Sequence, residues 1–245
     1  VTRNDALAIY HPIRARVRRI LKEALSLCNQ SDLKRAAKAV GLWRNDKIIL
    51  PEEEGPVEML SDIALFEPNQ RGRRAFDVFL SERGLRLDPT DAELAQQMGY
   101  AFFSLFRFTG PHESGGVWLG NLFDDNKRIW LMDERMEETA PSADAFGMRI
   151  FDAGPFHVGF GIAAPTDEET AEFAVQGMKH SGRAPFRYSL AATLYGDSIH
   201  GIDYRALEID EAAFESFATR FLSNEASTRR SRGRAPKRRG RTRKE

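Results

Sequence analysis

Cysteine is nearly absent: Cys28 is the single one in 245 residues. No disulfide can close within the chain, and a zinc cluster built on several thiolates is excluded. A lone thiol suits a reducing compartment, so a cytoplasmic setting is expected. Long apolar runs are missing too. None approaches the roughly 20 residues that span a bilayer. The opening residues, VTRNDALAIY, carry an acid and no apolar stretch of the secretory-leader kind. No membrane partner is expected.

Catalytic signatures are equally scarce. The five histidines are His11, His112, His157, His180 and His200, and no two share the i, i+4 spacing of a zinc-binding helix. No metal and no cofactor is expected. Asp124 to Arg128 lacks the glycine and terminal glutamate of a calcium loop, and no Gly-x-Ser-x-Gly elbow occurs. Gly159-Phe160-Gly161 lacks the third glycine of a dinucleotide fingerprint and reads better as a strand that bends or packs closely. Asp133, Glu134, Glu137 and Glu138 could supply an acid/base pair, with a solvated acidic turn as the plainer reading. Arg71, Gly72, Arg73 and Arg74 fit an anion site at a helix start or, more simply, a solvated one. Cys28 falls on a helical apolar face and reads as a small core residue.

What the chain has instead is a charge split. Ser227 to Glu245, STRRSRGRAPKRRGRTRKE, holds ten of the 36 basic residues and one acid. The ten are Arg229, Arg230, Arg232, Arg234, Lys237, Arg238, Arg239, Arg241, Arg243 and Lys244. Residues 1–226 keep 26 basic and 35 acidic side chains, so a formal net charge of zero conceals a body near −9 and a tail near +9. Apart from Ala235 and Pro236 the tail has nothing apolar to bury and reads as disordered. It can follow a phosphate backbone by releasing counterions. With no aromatic to stack on bases, it would read little sequence.

The body reads as α+β: helical over 1–110, a small antiparallel β-meander within 111–165, helical over 166–226. Pro12 suits the first position of a helix whose apolar stripe includes Ile13, Val17, Ile20 and Leu25. Ser31 is the expected cap of a second helix stopped by Gly41. Lys47 to Leu50 suggests a short strand; Pro56 to Phe66 and Gly72 to Arg83 suggest two more helices. Thr90 with Glu93 has capping-box spacing for a helix running to about Ser104, which delivers the aromatic run Phe102, Phe103, Phe106 and Phe108. Strands are expected over 117–123, 128–133, 146–151 and 156–162, the first two joined by the turn formers Asp124 to Lys127. Thr166 with Glu169 suggests a further capping box, Phe186 to Tyr195 suits helix or strand, and Asp210 opens a final amphipathic helix. His11 to Leu42 resembles the start of a helix-turn-helix, but Trp43 to Glu54 offers a β-like, acidic stretch where a recognition helix belongs. Two core helices is the plainer account. No stacking surface is legible in the body.

Gly41-Leu42, Lys47 to Leu50 with the acidic Glu52 to Glu54, Met59 to Leu65, Ser104 to Phe108, Trp118 to Asp133 and Arg149 to Gly161 together resemble a group of uncharacterised bacterial proteins. The resemblance covers roughly residues 30–165 and implies a mixed α/β arrangement with no known activity. It transfers no functional residue and excludes the basic tail.

The leading functional reading is a non-enzymatic, nucleic-acid-associated protein. Its ten tail cations would bind RNA or DNA electrostatically and without sequence preference. Two alternatives stay open. The tail could dock on an acidic protein surface, its own or a partner's, with Glu52 to Glu54, Glu137, Glu138 and Asp167 to Glu169 as candidates. Or the body could be an enzyme whose site is assembled from distant residues.

Overall fold

The computed structural model describes residues 1–52, 54–139, 145–181 and 188–201. The helix expected from Asp210 and the basic tail lie outside the described residues.

The first helix, α1 (Arg3–Ser26), begins well ahead of Pro12. Thr2 is the reason. Its hydroxyl accepts the Asp5 N–H, and the Asp5 carboxylate accepts the Thr2 N–H at 3.0 Å, closing a capping box. Pro12 therefore sits inside the helix and removes one donor. The helix persists because Ala6, Tyr10, Val17, Ile20 and Ala24 are buried along it. Asn29, not Ser31, caps α2 (Gln30–Ala39). A hairpin of β1 (Trp43–Arg44) and β2 (Lys47–Ile48) follows, turning through Asn45 and Asp46 at positive φ. It occupies the place of a recognition helix, so these helices do not form a helix-turn-helix. Next come α3 (Glu54–Phe66), α4 (Ala75–Arg83) and α5 (Pro89–Gly99). Asp88, rather than a Thr90–Glu93 box, caps α5: its carboxylate accepts the Thr90 and Asp91 N–H groups, each at 3.1 Å.

The helix expected to reach Ser104 stops at Gly99, and the aromatic run is a strand, β3 (Phe102–Pro111). Aromatic residues favour a pleated, half-buried surface, and here the strand faces decide. Leu105 turns to the helices, Phe106 turns inward, and Arg107 and Thr109 are left more open. Four strands follow: β4 (Val117–Asn121), β5 (Lys127–Leu131), β6 (Ala145–Asp152) and β7 (His157–Thr166). A short helix, α6 (Glu134–Thr139), lies between β5 and β6.

β3, β4 and β5 pair antiparallel in succession, and β6 returns to the other edge of β3, a Greek key. β7 pairs antiparallel with β6 and then meets β5 in parallel through Leu131 and His157. The expected antiparallel sheet thus closes into a five-stranded barrel, which leaves few unpaired strand edges. Phe106 belongs to both ladders of β3. Inside the barrel, Phe106, Leu119, Ile129, Leu131, Phe146 and Met148 pack together, and Met136 of α6 joins them. The chain ends its described course in α7 (Glu168–Ser181) and α8 (Leu190–His200). Asp167 accepts the Thr170 N–H at 2.7 Å at the entry to α7, so Thr166 stays in β7. Ser189 caps α8.

Helices cover the outer side of β6 and β7. α1, α4 and α5 pack on Phe151, Phe156 and Phe160; α2, α3 and α8 pack on Leu105, Ile162 and Ala164. With both faces covered, β6 is buried from Ala145 to Phe151. Cys28 bridges the two helical clusters, and burial pushes its thiol up to about 11, as befits a core residue.

One cation lies between barrel and helices. Arg149 of β6, its side chain 5% exposed, donates from Nε to Asp62 at 2.9 Å and from Nη2 to Glu67 at 3.0 Å. Its guanidinium sits against the rings of Phe66 and Phe103. Burial holds the Asp62 carboxyl above its ordinary range in spite of Arg149, and burial with the Asp62 charge keeps Tyr195 a neutral phenol. Arg149→Met would leave Asp62 buried without its counter-ion, which costs about 3–5 kcal/mol. A carboxyl raised further above its unfolded value loses stability as pH rises. Urea unfolding should therefore show a larger deficit at pH 7 than at pH 5; equal deficits would rule out Asp62 as the cause.

Candidate nucleic-acid interface

The helices pack chiefly on β3, β6 and β7, so the outward row of β4 and β5 reaches the surface. The turn Asp124 to Lys127 sets that row. Asp125 and Asn126 take positive φ, as acidic and amide residues can, and the resulting register places Trp118 directly opposite Trp130. Both indoles are half-buried, and Arg128 on the same row is exposed.

These side chains form a ladder of π groups. The His112 ring lies 3.8 Å from that of Trp130 at an interplanar angle of 4°, and 4.5 Å from that of Trp118. The Arg128 guanidinium sits 4.4 Å from the Trp118 ring centre, a cation–π contact. Phe156 meets Trp130 edge-on at 5.3 Å. The loop joining β3 to β4 holds the ladder in place. The Trp130 Nε1–H donates to the Gly115 carbonyl at 2.8 Å, and His112 Nδ1 accepts the Ser114 N–H at 2.9 Å. Burial lowers the His112 pKa, so the ring is neutral with its proton on Nε2. Gly116 is required here. Its φ is +74°, and a Cβ would lie 2.3 Å from the Leu131 carbonyl oxygen. Its N–H donates to Glu137 at 3.1 Å, and Glu137 also pairs with Arg3.

A second cation borders the ladder: Arg107 projects from β3 opposite Gly120 and pairs with Glu168 at 2.7 Å. Lys127 falls on the alternate row of β5 and pairs with Asp124 at 3.7 Å. The ten expected contacts, Arg229, Arg230, Arg232, Arg234, Lys237, Arg238, Arg239, Arg241, Arg243 and Lys244, lie outside the described residues. The stacking surface itself was missed in the sequence. Both indoles lie on strands expected from the sequence, but setting them opposite each other takes the loop 122–126 rather than a turn centred on 124–127.

Three of the four carboxylates expected as acid/base candidates are otherwise engaged. Asp133 accepts the Met136 N–H at 3.1 Å, Glu134 meets His11 at 2.9 Å, and Glu137 serves Gly116 and Arg3. Glu138 is exposed. Arg74 is likewise committed, to Asp77 and the Gly99 carbonyl. Gly159 and Gly161 lie in β7 beside a register shift, the bend expected of them. Among the described residues, no group of three or more His, Cys, Asp or Glu side chains is placed to hold a metal ion. No helix among them is long and apolar enough to cross a membrane.

Fold and surface define a helix-buttressed, five-stranded Greek-key barrel protein with an arginine-bearing aromatic face. The chain belongs to a family of unknown function (DUF7986), whose model matches residues 4–181. No curated protein and no solved structure matches it.

The ladder should be acid-sensitive. His112, and His157 on β7, are held below the ordinary imidazole value by burial. Each contributes stability that is present above about pH 6.5 and is lost as pH falls through the folded value. The melting temperature should fall between pH 7.5 and 5.5, and His112→Gln should flatten the decline in part. An unchanged slope in that variant would show that His112 is not held neutral.

Proposed function

We propose that the protein binds single-stranded nucleic acid on the outer face of β4 and β5, and that the basic segment 227–245 adds electrostatic affinity. The observation that carries this reading is the Trp118–His112–Trp130 ladder with Arg128 stacked at its end. Base–aromatic stacking suits any sequence, because every base has a π face, and arginine supplies cation–π and phosphate contacts. Five-stranded Greek-key barrels of the OB type use the face of their second and third strands for oligonucleotides. Here those strands are β4 and β5. The barrel supports the reading only in part, since one fold hosts many functions; the side chains on that face carry the rest.

The two parts divide the work. The ladder supplies stacking over a few bases, and the tail, through Arg229 to Lys244, supplies charge without sequence preference. RNA and DNA are both accommodated. The setting proposed is a bacterial cytoplasm, where the single thiol Cys28 stays reduced. No catalytic role is assigned.

Fluorescence anisotropy with a labelled oligothymidylate tests both parts. Trp118→Ala should weaken binding by about tenfold, in line with roughly 1–3 kcal/mol per stacked base, and leave the salt dependence nearly unchanged. Deleting 227–245 should lower affinity and flatten the salt dependence. Trp118→Ala binding like the parent would remove the barrel face from the proposal. A truncated chain binding like the full one would remove the tail.

A further inference from the structure

The barrel seam offers a second site. Among the described residues β5 and β7 pair in parallel only at Leu131 and His157, and no strand pairs with that edge of β7 beyond Gly159. α1 lies along this gap. Arg14 Nη1 donates to the Gly159 carbonyl at 2.9 Å, and its Nη2 sits where a Cβ of Gly161 would be, 2.4 Å away. Gly161, at a φ of +92°, is the residue that leaves room for the guanidinium. Beside Arg14 a cleft of about 840 Å³ opens between α1, α6 and β7. A second lobe of about 410 Å³ shares Arg14, Arg18, Glu58 and Ile162 with it, and continues over Leu21, Leu65, Phe66 and Phe160.

The charges on α1 are sorted by face. Of its five arginines, Arg3 pairs with Glu137, and Arg16 and Arg19 pair with Asp91. Arg14 and Arg18, one helical turn apart, line both lobes and have no carboxylate partner among the described residues. At the other end of the cleft the acids are occupied: Glu134 by His11, and Asp133 by the Met136 N–H. Glu58, on α3, is the remaining carboxylate at the entrance. Two cations thus face a space whose deeper lobe is walled by Leu21, Leu65, Phe66 and Phe160, with Ser61 and Asp62 beside them, the latter committed to Arg149.

We infer that this cleft binds a phosphate monoester with an apolar or aromatic body: the dianionic head on Arg14 and Arg18, the body in the lobe walled by Leu65, Phe66 and Phe160. Two guanidiniums match the head in charge and in donor geometry. The lobes fall in the size range of small-molecule sites; the larger is lined mainly by polar and charged side chains, and the smaller mixes them with Leu21, Leu65, Phe66 and Phe160. The site is distinct from the β4–β5 face and needs no nucleic-acid strand.

The test is calorimetric titration of the full-length protein with 1-naphthyl phosphate, alongside 1-naphthol and inorganic phosphate. The ester should bind at least about tenfold more tightly than either part. Arg18→Met, at an exposed position that leaves the fold and the basic tail intact, should cost about tenfold. Arg14→Met should cost at least as much, with a melting curve to register any lost tie to Gly159. Ester binding no tighter than inorganic phosphate would overturn the inference. So would binding that survives Arg18→Met, since it would then belong to the tail or to the surface at large.

Discussion

Arg149 is a cation taken out of water at the junction of two layers, and the arrangement around it leaves little freedom. It projects from the outer side of β6, and among the described residues its carboxylate partners come from outside the barrel. Its counter-ions, Asp62 and Glu67, come from α3 and the residue after it. Its guanidinium is also flanked by Phe66 and Phe103, one from each layer. A charge so placed is tolerable only while both layers are docked, because either layer alone would leave it or Asp62 unpaired in an apolar setting. Hydrophobic packing supplies most of the attraction between barrel and helices; Arg149 fixes which helix lies over which strand.

That docking decides where the surface features end up. α3 held over β6 brings α1 along the seam between β5 and β7, where Arg14 takes up a strand-edge carbonyl. An open seam is a liability in a β-protein, since unpaired edge groups invite other strands. Covering it with a charged helix removes the hazard and leaves a cleft with two guanidiniums that have no carboxylate partner among the described residues. The same docking leaves the outward row of β4 and β5 half-buried at the margin of the helical layer, with Trp130 against Phe156. The aromatic ladder on β4 and β5 is rigid because the β3–β4 loop clamps it, through Gly115 and Ser114, against a backbone that only glycine can follow at position 116. Rigid, preformed aromatic surface lowers the ordering cost of binding. The cationic segment 227–245 would work by a different logic, through charge alone. Joining the two would give capture at a distance followed by stacking, with no demand for sequence.

The sequence by itself determined the local features. The helical first half, the turn at Asp124 to Lys127, the core role of Cys28 and the lack of a recognition helix all follow from short-range patterns, where a few neighbouring side chains set the backbone. It also determined the charge division between residues 1–226 and the tail, which is composition. Its errors have two causes. Pro12, Ser31 and Thr90 each offered plausible helix starts, but Thr2, Asn29 and Asp88 make the caps, and one cap outcompetes another by about 1 kcal/mol, too little for pattern to reveal. The run Phe102 to Phe108 suits helix or strand locally. It is a strand because β4 and β6 are waiting on either side of it, and those partners are distant in the chain. Barrel closure joins Leu131 to His157 across the intervening α6 and β6, and the Arg149–Asp62 pair and the placing of Arg14 at the cleft rest on contacts across 87 and 145 positions. Only the tertiary structure could decide them, because the free energy of a buried charge or a closed seam depends on what surrounds it, and a linear pattern does not carry that information.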